Sequence, residues 1–188
     1  MMTTAAEEIH LSAEATPNPN SIKFVINRQI LEYGTINFNS KEEAAKSLLA
    51  SRIFEVDAVE SVFAARDFVT VTKKPDAAWN DLVPVPDAIK TAVASGEALF
   101  ADDILPKPVQ GGDSEIEQKI IEILDNEIRP AVARDGGDIT FYGYENGIVT
   151  LHLQGACSTC PSSVFTLKMG VENRLKQSVP EVIEVVQV

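Results

Sequence analysis

Between residues 101 and 113 the chain reads Ala-Asp-Asp-Ile-Leu-Pro-Lys-Pro-Val-Gln-Gly-Gly-Asp, and no other stretch limits its fold as much. Each proline lacks a backbone N–H and biases the residue before it away from helix, and the Gly-Gly pair is loose. A regular element cannot run through such a segment. The 188-residue chain is therefore expected to fold as two small α+β domains, 16–100 and 114–188, joined by a flexible linker at 101–113 and preceded by a flexible tail at 1–15. No internal repeat relates the two halves.

In the first unit, Thr16-Pro17-Asn18-Pro19-Asn20 is an extended or turn segment, because both prolines exclude helix from the residue before them. Ser21 to Ile26 alternates and reads as a strand, with residues 30–38 expected to pair against it. Ser40 and Glu43 have capping-box spacing, and Ala44, Leu48 and Leu49 continue as a helical stripe. Val59 to Ala64 and Phe68 to Thr72 read as strands around a short turn. A helical region from Asp76 to Ser95 is broken near Pro84 and Pro86 and ends at Gly96. Phe63, Phe68 and Trp79 are expected to build this core.

The second unit opens with another capping box, Ser114 and Glu117, followed by Ile116, Ile120, Ile123, Leu124 and Ile128 at helical spacing until Pro130 kinks or ends the run. Asp135-Gly136-Gly137-Asp138 is a turn; its two carboxylates are read as part of that turn, not as a catalytic or metal-binding pair. Ile139 to Tyr144 and Ile148 to Leu153 flank Glu145-Asn146-Gly147, a hairpin signal because Asn-Gly tolerates positive φ. A helix from Pro161 to Gln177 would bury Val164, Leu167, Val171 and Leu175. Val182 to Val188 is a last strand. The order predicts helices packed on a three-stranded sheet.

Apolar residues at 45% and charged residues at 23% suit a globular chain, so either unit can bury a core. The net charge of −12 carries no basic cluster, which argues against nucleic acid as a partner. No run reaches the ~18 apolar residues of a membrane span, so no membrane partner is expected. The first twelve residues contain neither Lys nor Arg, and the two cysteines lie three positions apart. A reducing, cytosolic compartment is the expectation, with a mitochondrial or plastid matrix only for a chain already processed.

Those cysteines carry the chemistry. In Gly155-Ala156-Cys157-Ser158-Thr159-Cys160-Pro161-Ser162-Ser163, two intervening residues let both sulfurs reach one metal centre, and Pro161 suits the first position of a helix. Backbone N–H groups and the helix dipole there favour anions, so a lowered thiol pKa is expected at Cys157 and Cys160. Small neighbours leave room for a bulky inorganic core. Iron–sulfur clusters and structural zinc want four ligands, but each chain has two cysteines. His10 and His152 read as surface or packing residues. A homodimer contributing two thiolates per copy is the simplest completion. Three readings remain open on these residues: an iron–sulfur centre, a thiol–disulfide oxidoreductase, and a structural zinc site shared between subunits. A structural disulfide is disfavoured, since so short a loop gains little.

Taken together, Asp135-Gly136-Gly137-Asp138-Ile139, the full loop from Gly155 to Ser163, and Lys168-Met169-Gly170-Val171-Glu172 closely resemble the carboxy-terminal domain of the NifU/Nfu family. Thr16-Pro17-Asn18-Pro19-Asn20-Ser21-Ile22-Lys23-Phe24 and Phe68-Val69-Thr70-Val71-Thr72-Lys73 resemble the amino-terminal domain of Nfu-type scaffold proteins. The resemblance implies a non-enzymatic scaffold or carrier that binds a [4Fe–4S] cluster, with [2Fe–2S] as the variant, between two protomers. It implies Cys157 and Cys160 as the metal ligands, and apo iron–sulfur client proteins and the cluster-assembly machinery as partners. The family's larger nitrogen-fixation members carry further cysteine-bearing domains that this sequence does not contain.

Overall fold

The structure, a computed structural model, describes residues 8–107 and 112–188, the side chains of 161–164 excepted. Residues 1–7 of the expected tail, 108–111 of the expected linker and the Val164 side chain lie outside the described residues.

The first unit is a five-stranded antiparallel sheet in the order β1-β2-β5-β4-β3. Its strands are β1 (Leu11–Ala15), β2 (Ser21–Ile26), β3 (Ile36–Phe38), β4 (Val59–Ala64) and β5 (Phe68–Lys73). Strand β1 corrects the expected tail. Its Leu-Ser-Ala-Glu-Ala sequence shows no apolar alternation and its side chains are mostly exposed, yet its backbone pairs Leu11 with Ile26 through Ala15 with Ile22. Edge strands of this kind are held by the ladder more than by burial. A second correction concerns residues 30–38. With β1 on one side of β2 and β5 on the other, no edge is left for them, and Ile36–Phe38 pairs instead with β4 at the far edge.

Helices cover one face of this sheet. The helix expected from Ser40 is split into α1 (Lys41–Ala44) and α2 (Leu48–Ile53), because Ser47 acts as a second N-cap, its Oγ accepting from Ala50 N at 3.0 Å. After a 3₁₀ turn at Trp79–Leu82, α3 (Val85–Ala94) starts at Pro84, where the prolines placed the break. Phe24, Ile26, Val62, Val69 and Val71 from the strands pack with Leu49, Ile53, Val85 and Ile89 from the helices into one core. Trp79 is not part of it. The residue is 43% exposed, and its ring carries the Lys73 ammonium 5.6 Å from its centroid.

The second unit begins with α4 (Glu115–Ile123), whose Ser114–Glu117 capping box is formed. A π-helical turn at Leu124–Ile128 leads into α5 (Arg129–Arg134). Pro130 explains the widened turn, since its ring cannot donate to the preceding turn and crowds the carbonyl four residues back. Strands β6 (Gly137–Glu145) and β7 (Ile148–Gly155) form the hairpin, with Asn146 and Gly147 at φ 51° and 84°. Strand β8 (Glu184–Gln187) adds in parallel to β7, which gives the sheet order β6-β7-β8. Between them lie a single helical turn α6 (Ala156–Thr159) and α7 (Pro161–Ser178). Ile120, Leu124, Val132, Ile139, Leu151, Val171 and Leu175 form the second core, and Leu167 packs at its edge.

A third, smaller cluster joins the halves. Strand β5 is buried along its whole length, because the face of the sheet turned away from the helices lies against the second unit. There Phe63, Ala65 and Phe68 pack with Val25 and with Ala133 of α5. Phe63 and Phe68 are therefore buried as expected, but between the units and not in the first core.

Candidate functional site

Strand β7 ends at Gly155, and the chain reverses into α6 with Gly155 at φ 66° and ψ −142°. That backbone region is open essentially to glycine alone. It lets the cysteine loop fold back over the Gly136–Gly137 turn: the Ala156 amide donates to Gly136 O at 3.1 Å, and a Cβ placed on Gly137 would meet Cys157 Sγ at 2.8 Å. Cys157 thus sits in the single turn α6, and Cys160 is the N-cap residue of α7, with Pro161 at the helix start as its spacing predicts.

The two cysteines form no disulfide and both are buried, Cys157 to 3% exposure and Cys160 to 0%. Cys157 is packed into the second core. An apolar groove of about 430 Å³ opens beside it, lined by Ile128, Ala131, Val132 and Val171 together with Pro17 of the first unit. Burial pushes the Cys157 thiol up to about 12, with Asp135, Cys160 and Asp138 adding in the same direction. The sequence expectation of a lowered pKa is reversed here, because removal from water outweighs the partial charge of the helix terminus. In this conformation Cys157 is a neutral thiol.

The first unit supplies much of the covering. Asn18, 2% exposed, donates through Nδ2 to Ala156 O at 3.0 Å and to Thr159 Oγ1 at 2.7 Å, the residues either side of Cys157 and Ser158. Its Oδ1 accepts from Asn20 N at 3.0 Å, so the loop is braced from within. Cys160 Sγ donates to Pro17 O at 3.6 Å. Thr70 Oγ1 donates to Gly136 O at 2.7 Å, the same carbonyl that holds Ala156. Lys23 Nζ, lying 4.5 Å over the Phe68 ring, donates to Ala133 O at 3.0 Å near the end of α5.

The carboxylates of the glycine turn divide. Asp138 is buried and takes a two-pronged bond from Arg129, Nε to Oδ1 at 2.8 Å and Nη2 to Oδ2 at 2.9 Å. This pairing raises the Arg129 pKa further. Thr35 Oγ1 lies 3.0 Å from both Asp138 Oδ2 and Gln154 Oε1, a further link between the units. The Arg129–Asp138 pair was not visible in the sequence, where Asp138 read as turn chemistry. Neither histidine approaches the cysteines: His10 sits beside Glu8, and His152 Nδ1 bonds the Val188 carbonyl at 2.8 Å under Tyr142. Among the described residues no group of three or more His, Cys, Asp or Glu side chains is placed to hold a metal ion. The donor set of one chain thus has the right chemistry for half of a cluster's ligands.

Comparison with known proteins matches both units. The family model described as "Scaffold protein Nfu/NifU N terminal" covers residues 11–96, and the one described as "NifU-like domain" covers residues 120–186. The human "NFU1 iron-sulfur cluster scaffold homolog, mitochondrial" is 43% identical over 182 residues, 95% of this chain and 71% of that protein. The Arabidopsis thaliana "NifU-like protein 4, mitochondrial" is 42% identical over 179 residues, 92% of this chain and 63% of that protein, so this chain spans less than two thirds of that relative. A solution structure of a NifU-like protein from Saccharomyces cerevisiae is 28% identical, with a TM-score of 0.47, over 54% of this chain and 92% of that one. The relatives named mitochondrial overturn the expectation of a cytosolic compartment.

Proposed function

We propose that this chain, which belongs to the NifU/Nfu family of iron–sulfur cluster scaffold proteins, holds a [4Fe–4S] cluster between two copies of itself and hands it to apo-proteins. The observation that carries this reading is the pair of thiols at the start of α7, with no third donor gathered around them among the described residues. Two chains meeting at Cys157 and Cys160 would complete four thiolates. The cluster is cargo, not a catalytic group, and the protein acts as carrier and not as enzyme. Iron binding displaces the thiol protons, so the high pKa of Cys157 delays loading without preventing it. Release follows when cysteines of a client replace the carrier's thiolates one at a time, leaving the cluster's oxidation state unchanged. Ser158 and Thr159 are exposed and small, which leaves space for the entering sulfur.

A dithiol oxidoreductase needs a thiolate near neutral pH, and the buried Cys157 disfavours that reading. Anaerobic incubation of the full chain with ferrous iron and sulfide is the test. The carrier predicts a brown protein, about four irons per two chains, and loss of all bound iron in Cys157→Ala or Cys160→Ala. Stoichiometric zinc with unfolding by chelator, or disulfide turnover by a single chain, would replace the carrier with a structural site or a redox enzyme.

A further inference from the structure

We propose that the amino-terminal domain is an internal cap on the cysteine loop: Thr16–Asn20 occupies the surface that a second copy would need, and the two domains must part before a cluster can be shared. The proposal rests on the carrier reading for its purpose, but not for its geometry.

A cluster held between two chains requires four sulfurs at one contact surface. Here both sulfurs face inward, and the loop that bears them is pinned from the first domain at two successive points, Asn18 to Ala156 O and Thr159 Oγ1, and Pro17 O to the Cys160 thiol. Asn18 uses its amide nitrogen and its amide oxygen in this arrangement. Thr-Pro-Asn-Pro-Asn thus has a role that its own domain does not require. It is a short, proline-stiffened segment that is braced from within by Thr16 and Asn20 and turns the Asn18 amide nitrogen and the Pro17 carbonyl to the neighbouring domain's cysteine loop.

The joint is built to separate. Its apolar cluster is small: Phe63, Ala65 and Phe68 with Val25 and Ala133. Among the described residues the polar contacts are hydrogen bonds from Asn18, Lys23, Thr70 and Thr35 to the second domain and from the Cys160 thiol to Pro17 O. Water can replace each of these, so the bonds contribute modestly to a closed state that opens without unfolding either core.

The test is thiol reactivity of the full-length apo-protein toward Ellman's reagent under native conditions, in Asn18→Ala and Lys23→Met. Lys23 touches α5 and not the cysteine loop, so it reports separation of the domains and not local loosening. Circular dichroism melting of both variants checks that each remains folded. Each variant is expected to react about tenfold faster than the parent, as loss of one or two hydrogen bonds from the closed state implies. Each is also expected to take up iron and form the two-chain species faster, with the same final iron content. Unchanged reactivity in both variants overturns the cap. Acceleration in Asn18→Ala alone also overturns it, because the effect would then be local to the loop. If the parent and both variants never take up a cluster, the carrier reading fails, while the thiol kinetics still decide whether the domain is a cap.

Discussion

Gly155→Ala tests the link between the cysteine loop and the rest of the molecule most sharply. Gly155 adopts φ 66° and ψ −142°, where a Cβ costs about 1–3 kcal/mol in backbone strain alone. The added methyl would also meet Gly136 O at 2.6 Å, Gly137 Cα at 3.0 Å and Phe63 Cδ1 at 3.0 Å. Two of these neighbours are backbone and cannot swing away, so relieving the overlap costs about 1–3 kcal/mol more. The sum, about 4 kcal/mol, is a large share of the ~5–15 kcal/mol that stabilises a domain. In urea titration the variant should lose about 4 kcal/mol, and its thermal midpoint should fall by about 10 °C. Gly143→Ala is the control, since a Cβ there meets nothing within 4 Å and it should stay within about 0.5 kcal/mol of the parent. A Gly155→Ala variant as stable as Gly143→Ala would refute the close stacking of β7, the glycine turn and Phe63.

Arg129→Met leaves the buried Asp138 carboxylate without its two-pronged partner. Discounted for the partial exposure of Arg129, the loss should be about 2 kcal/mol in urea titration, and a neutral result would contradict the pairing. Alkylation of native apo-protein by iodoacetamide should be slow at pH 8 and keep rising past pH 10, because Cys157 ionises only near 12; a plateau near pH 9 would show an unperturbed thiol. The same shift has a stability consequence. Between about 9 and 12 the unfolded chain has lost a proton that the folded chain keeps, so stability is full below that window and declines as pH rises through it. Calorimetric melting should show that decline in the parent and less of it in Cys157→Ala.

The second domain was largely legible in the sequence. Its capping box, Asn-Gly hairpin, Pro-initiated helix and β-branched terminus each have a local cause, and the structure places each where that cause acts. The first domain was less so. Leu11–Ala15 is a strand by virtue of its partner alone, and the fate of 30–38 depends on which edges are already taken. The contact between the domains left the faintest trace. Phe68-Val69-Thr70-Val71-Thr72-Lys73 alternates like a strand with one wet face, yet Phe68 and Thr70 on that face are buried against the second domain. A threonine pattern cannot distinguish water from a neighbouring domain's carbonyls as the polar partner. Local reasoning also gave the wrong sign for the Cys157 thiol. The helix start is readable from Pro161, but the burial that outweighs it comes from residues far away in sequence, Pro17 among them.

Native mass spectrometry of the anaerobically iron-loaded full chain bears most directly on whether two thiols per chain are shared across a pair. The predicted species has the mass of two chains with one cluster of about four irons and four sulfides, and it reverts to single chains when iron is removed. A single chain retaining a complete cluster, with no added thiol to finish its coordination, would contradict the sharing outright.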